Sequence, residues 1–123
     1  MIGWLKTLLG HGGAQVPAHE AAARMRDGAA LVDVREPAEF ARGHAPGARL
    51  LPLSRIRTGT TTAIESLGLP EGTNEVLLVC QSGVRSRIAQ AMLAKGTRYR
   101  CLNVAGGMSA WAAAGLPVTP PHR

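Results

Sequence analysis

Aromatic side chains are scarce in this chain of 123 residues, amounting to 3% of the total. A chain of this length can form one compact core, which must here be built from leucine, valine, alanine and isoleucine. Proteins that bind nucleic acids commonly use aromatic stacking platforms, and the sequence contains no nucleic-acid-binding motif. The formal net charge is +6, but the basic residues form no continuous run. We therefore expect no nucleic-acid partner. The positive charge would instead attract small anions in general.

Cysteine is also scarce. Cys80 and Cys101 are too few for a disulfide framework, and neither lies in a C-x-x-C pair of the kind that binds zinc. The four histidines show no ligand spacing, so the sequence predicts neither a metal site nor a cofactor. We expect both thiols to be free, in a reducing and therefore cytoplasmic setting.

No apolar run is long enough to span a bilayer, so no integral membrane segment is predicted. The stretch from Met1 to Leu9 is amphipathic, but Lys6 interrupts it and it makes a poor signal peptide. We interpret it as a short helix on the domain or a frayed terminus, with contact to a membrane surface or a partner as the alternative. The predicted organisation is an extension over 1–14, one domain over 15–118 and a loose tail over 119–123.

Strand and helix patterns alternate along the domain. This order predicts an α/β fold with a parallel sheet between two layers of helices. Pro52 indicates that the third strand lies at an edge, and 58–62 is predicted to be a polar loop. Strand patterns occupy 16–17, 29–34, 49–53, 76–79 and 98–104, and helical patterns occupy 18–25, 37–42, 64–67, 86–95 and 108–114.

The central stretch is the apolar run 76–79, which ends at Cys80 and is followed by a tight loop and a helix. In such a loop several backbone N–H groups, the helix N-terminus and Arg85 would surround one point with positive potential. Gly83 would let the backbone approach closely, and Ser86 is placed to cap the helix. A thiol there would have a lowered pKa and act as a nucleophile beside an anion cradle. The alternative is that Cys80 is only a small buried hydrophobic residue.

Two further polar residues lie at the carboxyl end of a predicted strand. Asp33 and Arg35 follow the run 29–34, and ligand sites in parallel sheets lie at this edge, so both could meet Cys80. We favour a structural pair that supports the crevice over direct contact with substrate. His44 is expected to stabilise a turn, and Cys101 and Trp111 to be core residues.

Four segments resemble the rhodanese family of sulfurtransferases. They are Leu-Val-Asp-Val-Arg-Glu-Pro-Ala-Glu-Phe at 31–40, Gly-His-Ala-Pro-Gly-Ala at 43–48, Val-Cys-Gln-Ser-Gly-Val-Arg-Ser at 79–86 and Gly-Gly-Met-Ser-Ala-Trp at 106–111. The resemblance implies a three-layer α/β/α domain with a central five-stranded parallel sheet. It also implies that Cys80 becomes a persulfide and that the loop residues after it bind the substrate: Gln81, Ser82, Gly83, Val84, Arg85 and Ser86.

The activity implied is that of a thiosulfate sulfurtransferase. Sulfane sulfur would pass from thiosulfate, or a similar small anionic donor, through the Cys80 persulfide to cyanide or a thiol. The alternative is a persulfide carrier or interaction module in a sulfur relay, with a sulfur-acceptor protein as its partner and weak turnover of small molecules. A related phosphatase or arsenate reductase is disfavoured because the loop from Cys80 to Arg85 has six residues, which suits sulfur better than a tetrahedral phosphate.

Overall fold

A computed structural model describes residues 13–120, so most of the predicted N-terminal extension and the end of the tail lie outside the described residues. The strands are β1 (Gln15–Val16), β2 (Ala30–Asp33), β3 (Arg49–Leu50), β4 (Glu75–Val79) and β5 (Arg100–Val104). The helices are α1 (Ala18–Arg26), α2 (Pro37–Ala41), α3 (Leu53–Gly59), α4 (Thr61–Glu65), α5 (Val84–Leu93) and α6 (Gly107–Ala113). In this part of the chain no helix is both long and apolar enough to cross a membrane.

The five strands form one parallel sheet in the order β1-β5-β4-β2-β3. The predicted fold class is therefore confirmed, and β3 lies at an edge as Pro52 indicated. Strand β4 occupies the centre, between β2 and β5. Its carboxyl end therefore lies beside the carboxyl ends of two other strands, where a crevice forms in sheets of this kind.

Alternation of side chains along β4 divides the core into two layers. Val76 and Leu78 face the side covered by α3, α4 and α5, whereas Leu77 and Val79 face the side covered by α1 and α6. Cys80 continues the first series, so its sulfur lies on the α5 side of the sheet. These four apolar residues of β4 are completely buried, as expected for a central parallel strand.

The prediction of a polar loop over 58–62 is wrong. Helices α3 and α4 occupy this region and meet at Thr60, the break between them, where φ is 46°. The threonines there are weak helix formers, which hides the helices in the sequence. Burial of Ile56 and Ile64 against the sheet stabilises them instead, because short helices depend on tertiary packing.

The C-terminal segment is held more firmly than the sequence suggests. A loose tail is predicted from Thr119, whereas the Thr119 N–H donates to the His44 carbonyl at 2.8 Å. The ring of His44 stacks on Phe40 with centroids 3.6 Å apart, and its Nδ1 lies 2.8 Å from the Phe40 carbonyl. Trp111 is 3% exposed and donates its indole N–H to the Pro117 carbonyl. His44 and Trp111 thus have the structural positions expected of them.

Candidate active site

The loop between β4 and α5 begins at Cys80 and turns at Gly83, which has a φ of 101°. This left-handed conformation favours glycine, and a Cβ there would lie 3.2 Å from the Gly106 nitrogen. Helix α5 starts directly afterwards, at Val84. Gly83 is therefore the N-cap, and the prediction that Ser86 caps the helix is wrong. Ser86 lies inside the first turn and is completely buried, because it points back toward the sheet.

The Cys80 sulfur is surrounded by hydrogen-bond donors. The Gly83 N–H donates to Sγ at 3.0 Å, and the Ser86 Oγ lies 3.4 Å from Sγ. Burial opposes ionisation of this thiol, but the Ser86 hydroxyl and the backbone N–H groups of Ser86, Gly83 and Ser82 outweigh it and lower the pKa of Cys80. Although Cys80 is 0% exposed, its sulfur faces amides rather than hydrocarbon alone. The Cys80 thiol is therefore easier to ionise than that of a free cysteine.

Cys101 has a different environment. It lies on β5 in register with Val76 of β4. Val76 precedes Cys80 by four residues, so the two cysteines are separated by roughly 13 Å along the strand direction. Burial raises the pKa of the Cys101 thiol to about 11, so it stays protonated at neutral pH. Both cysteines are free. Cys101 is therefore too distant to resolve a persulfide on Cys80.

Asp33 and Arg35 form a buried ion pair at the end of β2. The guanidinium donates to both Asp33 carboxylate oxygens at 2.9–3.1 Å. Its remaining contacts tie two loops together, with Nη2 donating to the Gly43 carbonyl at 2.8 Å and Nη1 to Gln81 Oε1 at 3.4 Å. The pair thus supports the loop that follows Cys80, through Gln81.

Arg85 is engaged by a residue to which the sequence interpretation gave no role. Its Nη1 and Nη2 donate to the two carboxylate oxygens of Glu39 on α2 at 2.8 and 2.9 Å. The hydrogen bonds from Arg85 lower the pKa of Glu39 to about 2, so the pair is fully charged at neutral pH. The guanidinium charge is thereby balanced, and backbone N–H groups are left as the main source of positive potential at the sulfur.

The N-terminus of α6 lies directly against the Cys80 loop. The Met108 N–H donates to the Cys80 carbonyl at 2.7 Å, and the Ser109 N–H donates to the Gln81 carbonyl at 3.1 Å. This approach needs Gly107, whose φ is 58° and whose absent Cβ would overlap the Cys80 carbonyl oxygen. The sequence showed two consecutive glycines here, which indicated only a tight turn.

Asn103 on β5 is the second contributor that sequence analysis missed. It is 2% exposed, and its side chain contacts Ser86, Gly83 and Gln15. It pairs in register with Leu78, so it points to the same side of the sheet as Cys80. A polar residue between the apolar residues Leu102 and Val104 was the available signal, since a polar side chain in a buried stretch needs a partner.

A groove of about 480 Å³ opens beside the loop, next to Gln81. Arg35 and Arg42 line it together with Glu39, and Val118 contributes apolar surface. The loop residues Gln81, Ser82 and Val84 are exposed, so they form the outer face of the site. Within residues 13–120, no three His, Cys, Asp or Glu side chains lie close enough together to hold a metal ion.

A family profile described as the Rhodanese-like domain matches residues 17–114. The chain belongs to the rhodanese-like family. The match spans every strand except β1 and all six helices, and it includes the Cys80 loop, the Glu39–Arg85 pair and Gly107. The expected family is thus confirmed.

The named relatives of this rhodanese-like chain include sulfurtransferases. It is 40% identical over 92 residues to "Sulfurtransferase" of Allochromatium vinosum, covering 75% of this chain and 79% of the relative. It is also 40% identical over 83 residues to "Probable adenylyltransferase/sulfurtransferase MoeZ" of Mycobacterium tuberculosis, covering 68% of this chain but 20% of that protein. A crystal structure of thiosulfate sulfurtransferase from Pseudomonas aeruginosa superposes with a TM-score of 0.72 and 27% identity, covering 87% of this chain and 19% of the other.

These likenesses differ in what they show. The chain spans most of the Allochromatium relative but about a fifth of each of the other two proteins. The family and its named members support sulfurtransferase activity in general for this domain.

Proposed function

We propose that this rhodanese-like domain transfers sulfane sulfur from thiosulfate, or a similar small anionic donor, to cyanide or a thiol through a persulfide on Cys80. The main support is the Gly83 N–H at 3.0 Å from a sulfur that also faces Ser86, because these donors stabilise a thiolate. The two free thiols fit a reducing, cytoplasmic setting.

The reaction consists of two displacements. The Cys80 thiolate attacks the outer sulfur of thiosulfate, an S–S bond forms to Cys80, and the donor's S–S bond breaks with its electron pair leaving on sulfite. An acceptor such as cyanide then attacks the outer sulfur of the persulfide. Thiocyanate departs, and the electron pair of the broken S–S bond returns to Cys80 as the thiolate. No proton or electron is supplied from outside.

The loop has a separate task at each step. The N–H groups of Ser82, Gly83 and Ser86 stabilise negative charge on the Cys80 sulfur when it is the attacking or departing thiolate. The groove beside Gln81, with Arg42 exposed on its wall, would attract the anionic donor. Because the resting thiol has no exposed surface, the loop must open slightly for the donor's outer sulfur to reach it.

A sulfur-relay carrier is the second candidate. The match to a fifth of MoeZ shows that a domain of this kind occurs within a larger sulfurtransferase. In that case Cys80 would pass its sulfur to an acceptor protein, and turnover with small acceptors would be slow. Both candidates need the same persulfide.

Intact-mass measurement after incubation with thiosulfate tests the proposal. We expect the chain to gain the mass of one sulfur atom, and cyanide to remove it. Fast steady-state formation of thiocyanate would identify an enzyme for small molecules, whereas stoichiometric loading with slow turnover would identify a carrier. A chain that gains no sulfur from thiosulfate would rule out thiosulfate as the donor for either candidate.

The Glu39–Arg85 pair supplies a further prediction. Arg85→Ala leaves the Glu39 carboxylate unpaired near the loop, where it would repel a dianionic donor. We expect kcat/KM for thiosulfate to fall roughly fivefold, because a favourable charge interaction at a partly exposed site contributes about 1 kcal/mol. Transfer from the loaded persulfide to a neutral thiol should fall less, because no charged substrate is repelled.

Glu39→Gln is the matched control for this effect. It removes the carboxylate and keeps a side chain that can accept a hydrogen bond from Arg85. Adding Glu39→Gln to Arg85→Ala should restore most of the activity with thiosulfate. If Arg85→Ala instead slowed the neutral thiol more than thiosulfate, repulsion of the donor would be the wrong explanation.

A further inference from the structure

Four residues, Cys80 among them, form a closed ring of contacts. The Gly83 N–H donates to Sγ at 3.0 Å, and the Gly83 carbonyl lies 3.4 Å from Asn103 Nδ2. Asn103 Oδ1 lies 2.5 Å from Ser86 Oγ, and Ser86 Oγ lies 3.4 Å from Sγ. All four residues are buried, so water does not compete for these contacts.

The donors and acceptors in this ring can be assigned. A carbonyl only accepts, so the Gly83 oxygen requires the amide nitrogen of Asn103 to face it, and Gln15 Oε1 at 3.3 Å accepts from the same nitrogen. Asn103 Oδ1 therefore faces Ser86 and can only accept. A serine hydroxyl carries one proton, which cannot be given to Asn103 and to Cys80 at the same time.

The ionisation state of Cys80 decides between the two acceptors. A neutral thiol can donate its proton to Ser86 Oγ while Ser86 donates to Asn103. A thiolate or a persulfide carries no proton on Sγ, so the Ser86 hydroxyl stabilises it only by turning from Asn103 to the sulfur. The thiol proton leaves to solvent in this change, and the hydroxyl rotates about its C–O bond without breaking a covalent bond.

We propose that Asn103 is a positioning residue that holds the Ser86 hydroxyl in the resting thiol and releases it to the sulfur when Cys80 loses its proton. Ser86 thus has two orientations, and Asn103 competes with the sulfur for its proton. The consequence for catalysis rests on the proposed persulfide chemistry, whereas the orientation of Ser86 does not.

Charged groups near this ring lie on α5, on α2 and at the end of β2, and Arg87 of α5 lines a pocket that Gly83 and Asn103 also line. Arg85 on α5 interacts electrostatically with Cys80 and is paired with Glu39 on α2. Asp33, at the end of β2, is paired with Arg35. The described residues of β5 and α6 near the ring, Asn103 and Gly107 to Ser109, are uncharged. Substitutions at Asn103 and Ser86 leave all of these charges in place.

Asn103→Leu tests the competition, because leucine has a similar volume and no acceptor. In a Cys101→Ser background, the rate of Cys80 alkylation by iodoacetamide is followed against pH. We expect the profile to move to lower pH, and the rate at neutral pH to rise roughly fivefold, as expected for loss of one neutral hydrogen bond that favours the thiol. In a chain that already carries Ser86→Ala, adding Asn103→Leu should not shift the pH dependence of Cys80 alkylation.

Two results would overturn the proposal. One is a shift of equal size with and without Ser86, since Asn103 would then act through loop structure alone. The other is an unchanged profile, or a shift to higher pH, when only Asn103 is replaced. Because alkylation needs no sulfur donor, these outcomes are independent of whether thiosulfate loads the chain.

Infrared spectroscopy keeps the proposal testable if Asn103→Leu does not fold. In Cys101→Ser, the only remaining S–H stretch belongs to Cys80, and donation to Ser86 Oγ lowers its frequency. Ser86→Ala should raise that frequency to the value of a free thiol. An S–H band unaffected by Ser86→Ala would refute the assigned proton arrangement.

Discussion

Cys80→Ser should abolish sulfur loading from thiosulfate and with it all thiocyanate formation. Serine keeps the size of the side chain and can accept the Gly83 N–H, but its hydroxyl is not ionised near neutral pH and cannot form a persulfide. Intact mass after incubation with thiosulfate should show no added sulfur, and thiocyanate production should fall to the uncatalysed rate. Thermal unfolding of the variant checks that the fold is kept.

Cys101→Ser is the matched control for that loss. The Cys101 thiol has a pKa raised to about 11 by burial, so it contributes almost no thiolate at neutral pH. It also lies four residues away from Cys80 along the sheet. Loading and thiocyanate formation should stay close to wild type. Equal loss in both variants would show that the two thiols act together, and the roles assigned here would have to be abandoned.

The sequence predicted the sheet well because its central strands carry a local signal. The apolar residues of β2 and β4 form short continuous runs, as expected for strands covered on both faces. Helix α3 gave no such signal, and only the end of α4 overlaps the helical pattern predicted over 64–67. Their stability comes from burying a few isoleucines against the sheet, which is a tertiary effect that no local pattern shows.

In the candidate site, too, the residues that are contiguous in sequence could be predicted and those contributed by other elements could not. Cys80 and the loop after it are contiguous, so one stretch of sequence was enough to suggest a nucleophile among backbone donors. Glu39 contacts Arg85 across 46 residues of sequence, and Asn103 contacts Ser86 across 17. These partners come from other elements and depend on strand order. The prediction that Ser86 caps α5 was wrong for the same reason, because its hydroxyl contacts Asn103 on the sheet.

Gly107→Ala should damage the site more than any other substitution that leaves the reacting groups intact. The new Cβ would overlap the Cys80 carbonyl oxygen and lie 2.6 Å from the Gln81 carbonyl carbon, both of which are backbone atoms of the active loop. The left-handed φ of 58° adds strain of about 1 kcal/mol for alanine. With roughly 2 kcal/mol more from overpacking, we expect a loss of about 3 kcal/mol in unfolding free energy.

Gly68→Ala separates the two contributions. Gly68 has nearly the same φ, 60°, but no atom lies within 4 Å of the position its Cβ would take. Alanine there should cost only the backbone strain of about 1 kcal/mol, and sulfur loading should be unchanged. Chemical denaturation gives the two free energies, and intact mass gives the loading. Equal destabilisation by the two alanines would mean that α6 does not press on the Cys80 loop. The alignment of that loop would then have to come from β4 and α5 alone.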